Sequence, residues 1–401
     1  KPSERADICI VNTCAVTGKA AMQSRQAIRG LVRNHPTAKI IVTGCYAEAA
    51  AGEIGTIPGV HRVAGLTDKA HTVDLALELM AEPGVARPPI GITTDHSFFP
   101  RNAKPAGGRT RPFLKVQDGC DAFCTYCIVP HTRGRSRSLP PEKVLENLRE
   151  FNRLGFHEVV LTGIHLGGYG KDLFPSTSLT ELLCRIVQEK VMDRVRLSSI
   201  EPMELTRGLI DLAGETERIC PHFHIPLQSG DDDVLRRMHR PYTRHLFSER
   251  VLMIKEKMPH ASVGVDILAG FPGETPQAFE NTRQLIENLP VSYLHVFPFS
   301  PRKGTPAASY PEQVQNSTVK ERCEMLRRLG QKKKEAFYAS QVGRTLRVIV
   351  EGGEGTQLRQ RGMSENYIPV VFSLNLDLEN QMVSVLVDRV VDEKGVFGTL
   401  V

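Results

Sequence analysis

Short apolar runs alternate with longer amphipathic stretches along most of this chain of 401 residues. In the first part, residues 1–80, the runs Asp7–Asn12 and Lys39–Gly44 have the composition of buried strands. Residues 17–34 between them have helical periodicity. A strand, a helix and a second strand in that order predict a βαβ unit with parallel strands. Residues 81–112 are rich in Pro, Gly and Arg and are predicted to be a linker.

The longest part, residues 113–341, repeats an apolar strand followed by a helical stretch. Strands are predicted near 113–117, 157–162, 194–199, 222–227, 262–269 and 293–299, and helices at 142–154, 178–189, 243–257 and 275–288. Such β/α units predict a partial barrel of the TIM type, with further helices up to residue 341. The active sites of such barrels lie at the carboxyl ends of the strands.

The last part, residues 342–401, contains short strands without helices between them. They are predicted at 345–351, 368–373, 382–387 and 397–401. This spacing is typical of a small β-barrel. The predicted fold class is therefore α/β, with an N-terminal flavodoxin-like βαβ domain, a central partial (β/α)6 barrel and a small C-terminal β-barrel.

Composition limits the class of protein. The chain has no apolar run long enough to span a bilayer and no signal peptide at Lys1, so we expect no membrane partner. Five of the nine cysteines stand in settings typical of metal ligands, which favours a reducing, cytoplasmic location. The formal net charge of +6 is compatible with a nucleic-acid partner but does not require one.

The positive charge is concentrated in three acid-poor segments. They are residues 19–34, 101–137 and 319–347. In the first of them, Arg25, Arg29 and Arg33 are four residues apart and form one stripe on a helix. Arg133 and Arg344 are candidates in the other two. A single basic segment is commonly a solvated face, whereas three together favour a phosphate-rich partner such as RNA.

The densest chemical signal is a loop in which Cys120, Cys124 and Cys127 have the spacing Cys-x3-Cys-x2-Cys. Two short gaps bring the three sulfurs to one side of a tight loop, directly after the first predicted barrel strand. An iron–sulfur cube has four irons, so three thiolates leave one iron open for chemistry. A zinc site is the alternative. It needs a fourth ligand, and His131, stiffened by the preceding Pro130, is the only nearby candidate.

Two further cysteines follow predicted strands. Cys14 ends the first strand of the chain and Cys45 ends the second. Parallel neighbouring strands would bring both thiols to one edge of the sheet, within reach of one metal, although two ligands alone make a poor cluster site. The other four cysteines are predicted to be structural, because buried small hydrophobes are the usual role of a free thiol. They are Cys9, Cys184, Cys220 and Cys323.

Several ends of barrel strands carry glycine or polar residues. Gly163 follows the second strand, Gln228 ends the fourth, and Asp266 lies in the fifth. An ordinary βα turn is the alternative at each place, since Gly, Pro and Asp are common there. Polar groups at successive strand ends are better explained as a shell around a cofactor and substrate.

Several motifs of the chain recur together in one known family. They are Asn12–Cys14, Gly44–Ala47, the three-cysteine loop, Thr132–Gly134, Leu227–Gly230 and the tail Ser364–Val370. Together they resemble the radical S-adenosylmethionine (SAM) methylthiotransferases, and the tail resembles their C-terminal TRAM domain. Residues 13–17, 24–29 and 42–47 are most similar to the subgroup that modifies N6-threonylcarbamoyladenosine. The resemblance covers essentially the whole chain.

The resemblance implies a set of cofactors. It implies one 4Fe–4S cluster on Cys120, Cys124 and Cys127, and SAM as radical source and methyl donor. It also implies an auxiliary 4Fe–4S cluster on Cys14, Cys45 and a third cysteine. The SAM contacts it implies are Tyr126, Gly163, Gln228 and Asp266.

The sequence departs from the family in two places. The third auxiliary cysteine of the family belongs to a segment that would precede Lys1, so the chain is expected to be incomplete at its start and one auxiliary thiolate short. Leu139 stands where the family commonly has a second arginine after the Thr132–Gly134 motif.

The activity implied by the resemblance is methylthiolation of C2 of N6-threonylcarbamoyladenosine beside the tRNA anticodon. The implied partners are tRNA and a reductant such as flavodoxin or ferredoxin, and no DNA. Three alternatives stay open. The same chemistry could act on isopentenyl-adenosine in tRNA or on an aspartate of a ribosomal protein, or the chain could be a non-catalytic iron–sulfur protein that binds RNA.

Overall fold

The computed structural model describes residues 6–81, 109–353, 359–373, 378–392 and 394–401. The predicted linker, residues 81–112, lies largely outside these described residues. The chain forms two compact units. The first combines the N-terminal residues with the later segments Gly119–Arg135 and Ser300–Tyr310, and the second contains the other described residues. Among the described helices, none combines the length and the apolar character that crossing a bilayer requires.

The first unit is built on a parallel sheet of three strands, in the order β1-β2-β3. Its elements are β1 (Ile8–Thr13), α1 (Gly18–Asn34), β2 (Lys39–Gly44), α2 (Cys45–Ala49), α3 (Ala51–Gly55), β3 (Arg62–Val63) and α4 (Thr72–Ala81). The central strand β2 is buried from Ile40 onward, as its apolar sequence requires. The hydroxyl of Thr17 caps α1 by accepting a hydrogen bond from the Ala20 N–H. The predicted parallel βαβ arrangement is confirmed.

The two later segments pack onto this N-terminal core. A short helix, α5 (Val129–Arg133), follows the three-cysteine loop and packs against α2. Just before α5, Ile128 belongs to the same buried cluster as the strand residues Ile40 and Val42. The three-cysteine loop is therefore part of the unit that contains Cys14 and Cys45.

The second unit contains six parallel barrel strands in two hydrogen-bonded triples, β4-β7-β8 and β9-β10-β11. They are β4 (Phe113–Lys115), β7 (Glu158–Thr162), β8 (Arg194–Leu197), β9 (His222–Gln228), β10 (Ser262–Ala269) and β11 (Tyr293–Pro298). An antiparallel pair joins β5 (Gln117–Asp118) to β6 (Arg137–Ser138). The helices are α6 (Pro141–Arg153), α7 (Leu179–Gln188), α8 (Arg207–Gly214), α9 (Asp232–Arg237), α10 (Arg244–Lys257), α11 (Pro276–Asn288) and α12 (Asn316–Ala339). The predicted partial β/α barrel is confirmed.

The C-terminal residues form a closed five-stranded barrel in the order β12-β13-β14-β16-β15. Its strands are β12 (Thr345–Gly353), β13 (Arg359–Ser364), β14 (Pro369–Ser373), β15 (Met382–Asp392) and β16 (Gly395–Leu400). Closure removes the open edges of the sheet. The predicted small β-barrel is confirmed. Strand β13 was not predicted, because its sequence Arg-Gln-Arg-Gly-Met-Ser has no apolar alternation.

A buried ionic triad fastens the C-terminal barrel to the β/α barrel. Glu158 begins β7 and lies opposite Arg194 in β8. Its carboxylate accepts hydrogen bonds from Arg194 Nε (2.6 Å) and Arg196 Nε (2.7 Å), and all three side chains are almost completely buried. The remaining guanidinium donors reach backbone carbonyls of the C-terminal barrel. The acceptors are the carbonyls of Arg347, Met363, Ser364 and Glu365.

Replacing Glu158 with alanine is expected to lower the free energy of unfolding of the second unit by about 3–5 kcal/mol, because two buried guanidinium groups lose their carboxylate. Urea unfolding followed by circular dichroism measures this loss. The matched control is Glu142→Ala, whose partner Arg185 is on the surface, and it should change little. Equal shifts for both variants would contradict the role given to the triad.

The same triad predicts a pH dependence. Burial alone would raise the pKa of Glu158, but the positive charges of Arg196 and Arg194 lower it to about 2. The folded pKa is below the ordinary value of 4.5, so the stabilisation is complete above that pH and is lost as the pH falls toward about 2. The stability gap between the wild type and Glu158→Ala should therefore narrow over this acidic range.

Candidate active site

The ends of β1 and β2 bring Cys14 and Cys45 to one edge of the first unit's sheet. Thr13 and Gly44 are register partners, so the two cysteines follow directly after a paired position. Gly44 has φ +101°, and a Cβ there would lie 2.3 Å from the Thr13 carbonyl oxygen. Glycine is therefore required for the strands to approach this closely. The predicted common edge is confirmed.

The two cysteines differ in exposure. Cys14 is exposed, whereas Cys45 is buried at the first position of α2. Beside Cys45, the buried Tyr46 accepts a hydrogen bond from Arg25 Nη1 at 2.7 Å. The Arg25 guanidinium also lies 3.4 Å from Glu53. Arg25 thus helps to hold the cysteine-bearing helix in place.

The three-cysteine loop has a defined backbone. The Cys120 N–H donates to the Gly134 carbonyl (3.1 Å), and the Cys127 N–H donates to the Cys124 carbonyl (2.9 Å). Gly119 has φ +72°, and a Cβ there would lie 1.9 Å from the Arg135 carbonyl oxygen. The ends of the loop are therefore drawn together, which keeps the three thiols within one short closed segment.

All five candidate ligands belong to the first unit. Cys124 is buried, and Cys120 and Cys127 are half-buried. None of the nine cysteines, all of which are described, forms a disulfide. A set of three undisulfided thiols, two of them partly accessible, fits a 4Fe–4S cluster with one iron left open. Cys9, Cys220 and Cys323 are buried and Cys184 is half-buried.

The second unit contains a cavity of about 640 Å³ inside the β/α barrel. Side chains from all six barrel strands line it, and Glu351 and Tyr367 of the C-terminal barrel contribute to its wall. We call it the barrel cavity. Its volume is in the range of pockets that enclose a small molecule or one nucleoside.

A histidine–carboxylate cluster lies in the wall of the barrel cavity. His224 donates from Nε2 to Asp266 Oδ1 at 2.7 Å, and His295 Nδ1 lies 3.3 Å from the same oxygen. Burial alone would raise the pKa of Asp266, but the hydrogen bonds from these two rings lower it to about 2. The Tyr293 hydroxyl lies 2.8 Å from His222 Nε2 and 3.2 Å from His224 Nδ1. Asp266 is thus a fixed negative charge that orients two imidazoles.

Two buried polar atoms of the cavity wall have no hydrogen-bond partner among the described residues. They are Ser198 Oγ and His222 Nδ1. Burial lowers the pKa of His222 well below its ordinary value, so the ring is neutral at neutral pH. Buried polar atoms are normally paired with protein, water or ligand. These two atoms are therefore places where a bound polar group would be held.

The four predicted SAM contacts lie in different parts of the structure. Asp266 lies in the barrel cavity, and Tyr126 lies in the three-cysteine loop. A Cβ on Gly163 would lie 2.9 Å from Gln117 Oε1 and 3.0 Å from Leu166 Cα, so packing inside the protein already favours glycine there. Gln228 ends β9 with φ +63°. Their contacts with SAM remain predictions.

The predicted RNA contacts also differ from one another. Arg29 and Arg33 are exposed on α1, whereas Arg25 is engaged with Tyr46. Arg133 is the half-buried last residue of α5, and Arg344 donates from Nη1 to His260 Nε2 at 2.7 Å. Of the stripe on α1, two arginines are therefore directed to the surface and one to the protein.

Sequence reasoning missed the histidines and tyrosines of the barrel cavity. One signal was present, since His222 and His224 alternate along β9 and Tyr293 and His295 alternate along β11. Alternation places such residues on one face of a strand. The two pairs come close to Asp266 only because β9 and β11 are the hydrogen-bonded neighbours of β10.

A three-cysteine loop after the first strand of a partial β/α barrel defines a radical SAM enzyme. The Radical SAM superfamily model matches residues 114–286, and a model described as uncharacterized protein family UPF0004 matches residues 1–65. The fold is similar to that of the radical SAM methyltransferase TsrM from Kitasatospora setae, with a TM-score of 0.56 at 16% identity over 77% of this chain and 67% of that chain.

Curated relatives match almost the whole chain. The threonylcarbamoyladenosine tRNA methylthiotransferase MtaB of Bacillus subtilis is 36% identical over 95% of this chain and 85% of that protein. The MtaB protein of Rickettsia prowazekii is 39% identical over 91% of this chain and 84% of that protein. The tRNA-2-methylthio-N(6)-dimethylallyladenosine synthase of Desulfitobacterium hafniense is 32% identical over 96% of this chain and 87% of that protein. The chain belongs to the MtaB-type radical SAM methylthiotransferases, enzymes that use 4Fe–4S clusters and SAM.

Proposed function

We propose that this enzyme adds a methylthio group to C2 of N6-threonylcarbamoyladenosine next to the anticodon of tRNA. The observation that carries the proposal is the similarity to five MtaB proteins at 35–39% identity over most of the chain. The dimethylallyladenosine synthases match at 32–34%. The higher identity to the MtaB proteins favours threonylcarbamoyladenosine over dimethylallyladenosine as the substrate.

The proposed ligands divide into two sets within the first unit. Cys120, Cys124 and Cys127 would hold the cluster that, when bound with SAM, supplies a 5′-deoxyadenosyl radical. Cys14 and Cys45 would contribute to the auxiliary cluster. Tyr126, Gly163, Gln228 and Asp266 remain the proposed SAM contacts. The protein's own part is to hold the thiols on short, closed backbone segments and to shape the surroundings of the target base.

The partners follow from the proposed chemistry. Reductive cleavage of SAM needs an electron donor, and a flavodoxin or ferredoxin is the proposed one. The substrate would be tRNA, and the proposed location is the cytoplasm. A base paired or stacked in an anticodon loop must be extruded before its C2 can be reached, the usual way in which single-stranded RNA is recognised.

Mass spectrometry of digested tRNA from a deletion strain tests the nucleoside. We expect loss of the 2-methylthio form of threonylcarbamoyladenosine and its return when the gene is restored. Loss of the methylthio form of isopentenyl-adenosine instead would replace the proposed substrate. Unchanged tRNA with a lost methylthio group on a ribosomal protein would refute the RNA substrate. No change in either would favour a non-catalytic protein.

The exposed arginines of α1 are proposed to contact tRNA phosphates. Replacing Arg29 and Arg33 with glutamine should weaken tRNA binding and reduce the slope of log affinity against log salt by about two units, one for each lost phosphate contact. Filter binding at several salt concentrations measures the slope. The control is Arg149→Gln with Arg153→Gln, which removes the same charge from surface ion pairs. An unchanged slope in the α1 variant would identify the stripe as a solvated face.

A further inference from the structure

The barrel cavity has a polar wall whose charges are only partly used by the protein. Arg111 is bound to Glu351 at 2.6 Å, and Arg196 shares the Glu158 carboxylate with Arg194, so both guanidinium groups are already engaged by carboxylates of the protein. His295 behaves differently. Its Nδ1 faces Asp266, its side chain is 53% exposed, and its Nε2 has no partner among the described residues.

Three atoms of this wall are therefore open to a ligand. Ser198 Oγ and His222 Nδ1 are buried without partners in the described part of the chain, and His295 Nε2 adds a third, more accessible nitrogen. Arg109 adds a cation to the same wall, and its guanidinium contacts only the ring of Phe113 among described groups. A hydroxyl, two imidazole nitrogens and a guanidinium suit a ligand with hydroxyl, amide and carboxylate groups.

We infer that the barrel cavity binds the polar N6 substituent of the target adenosine, and that Ser198, His222 and His295 select it over an apolar substituent. The inference rests on the proposed function, in which that substituent is threonylcarbamoyl. This group carries a urea, a hydroxyl and a carboxylate, which match the open atoms of the wall. An isopentenyl group has no polar atom, so it would leave Ser198 Oγ and His222 Nδ1 buried and unpaired.

The size of the selection follows from this mismatch. A site built to hydrogen-bond its substrate discriminates strongly against an analogue that lacks the polar groups, because the buried partners of the site are then left unpaired. Removing one wall group should cost about ten- to a hundredfold in activity on the polar substrate, and should cost the apolar substrate little. The ratio of the two activities is therefore the diagnostic quantity.

The experiment uses the enzyme produced from its complete gene and reconstituted anaerobically, with tRNA anticodon stem-loops that carry either threonylcarbamoyladenosine or isopentenyl-adenosine. The rate constant kcat/KM for methylthiolation is measured on both for the wild type, Ser198→Ala and His295→Phe. Matched controls are Ser248→Ala on α10 and His157→Phe, whose imidazole is paired with Asp193 outside the cavity. We expect kcat/KM on the threonylcarbamoyl stem-loop, divided by kcat/KM on the isopentenyl stem-loop, to fall about ten- to a hundredfold in the two cavity variants only.

Three results would overturn the inference, and they are distinguishable. A wild-type enzyme that acts on the isopentenyl stem-loop alone refutes the proposed function itself. If the wild-type enzyme acts on the threonylcarbamoyl stem-loop and both cavity variants keep the wild-type ratio of the two kcat/KM values, only the role of the cavity is refuted. Loss of SAM cleavage in the absence of RNA in both cavity variants would show that Ser198 and His295 act through SAM, whose proposed contact Asp266 lies in the same cavity, and not through the N6 substituent. Unchanged RNA-free SAM cleavage together with a lowered ratio supports the inference.

Discussion

Replacing Cys124 with alanine is expected to abolish both SAM cleavage and methylthio transfer. Cys124 is the most buried of the three thiols in the loop, at 7% exposure, and its carbonyl also accepts the N–H of Cys127. Two thiolates are too few to retain a cube against loss or exchange. After anaerobic reconstitution, the variant should therefore yield no 5′-deoxyadenosine with dithionite as reductant.

The control for this experiment is Cys184→Ala. Cys184 is half-buried on α7 in the second unit and has no proposed role as a ligand, so its removal changes the number of thiols without changing the loop. Its variant should cleave SAM at the wild-type rate. Iron–sulfur absorption in the near-ultraviolet and visible range should fall only in Cys124→Ala, because that variant would retain only the auxiliary cluster. Retained deoxyadenosine formation in Cys124→Ala would refute the assignment of the cluster to this loop.

The parts of the site that sequence predicted are those fixed by local spacing. The three-cysteine loop is contiguous, so the grouping of its thiols in one closed segment follows from two short gaps. Cys14 and Cys45 are distant in sequence, but both follow strands of one βαβ unit, and parallel neighbouring strands end at the same edge. The observed register of Thr13 with Gly44 is the one that this reasoning requires.

The parts that sequence could not predict depend on which strands become neighbours. His224, Asp266 and His295 lie on three different strands, and only the order β9-β10-β11 brings them together. Each histidine alone is indistinguishable from a polar residue on a half-buried strand. The grouping of Gly119–Arg135 with the N-terminal sheet also could not be predicted from the sequence, because it results from non-local contacts such as those of Ile128.

The burial of charged residues in strands also could not be predicted from the sequence. Arg194 and Arg196 alternate with apolar residues, a pattern typical of a strand with one solvated face. Both are nevertheless buried, because each pairs with the carboxylate of Glu158 on the neighbouring strand and carbonyls of the C-terminal barrel accept hydrogen bonds from their remaining N–H groups. A buried guanidinium is stable only with such partners, and sequence alone does not supply their positions.

In the enzyme produced from its complete gene, replacing Cys14 with alanine is expected to separate SAM cleavage from methylthio transfer. Cys14 is exposed, so its loss removes a thiolate without disturbing the buried core around Cys45. We expect methylthio transfer to fall below about one hundredth of the wild-type rate, since loss of a cluster ligand should cost more than the ten- to hundredfold of an outer-shell change. RNA-free formation of 5′-deoxyadenosine should stay within about twofold of wild type, because Cys120, Cys124 and Cys127 are intact.

The matched control for Cys14→Ala is Cys9→Ala. Cys9 lies inside β1, is 9% exposed and belongs to the hydrophobic core, so its variant tests a structural cysteine of the same strand. Methylthio transfer is quantified with tRNA, SAM and dithionite, 5′-deoxyadenosine is quantified with SAM and dithionite in the absence of RNA, and iron is counted in parallel. Equal transfer by Cys14→Ala and wild type would show that Cys14 is not a ligand. Loss of both products would show instead that the Thr13–Gly44 edge supports SAM cleavage, because the three-cysteine loop belongs to the same unit.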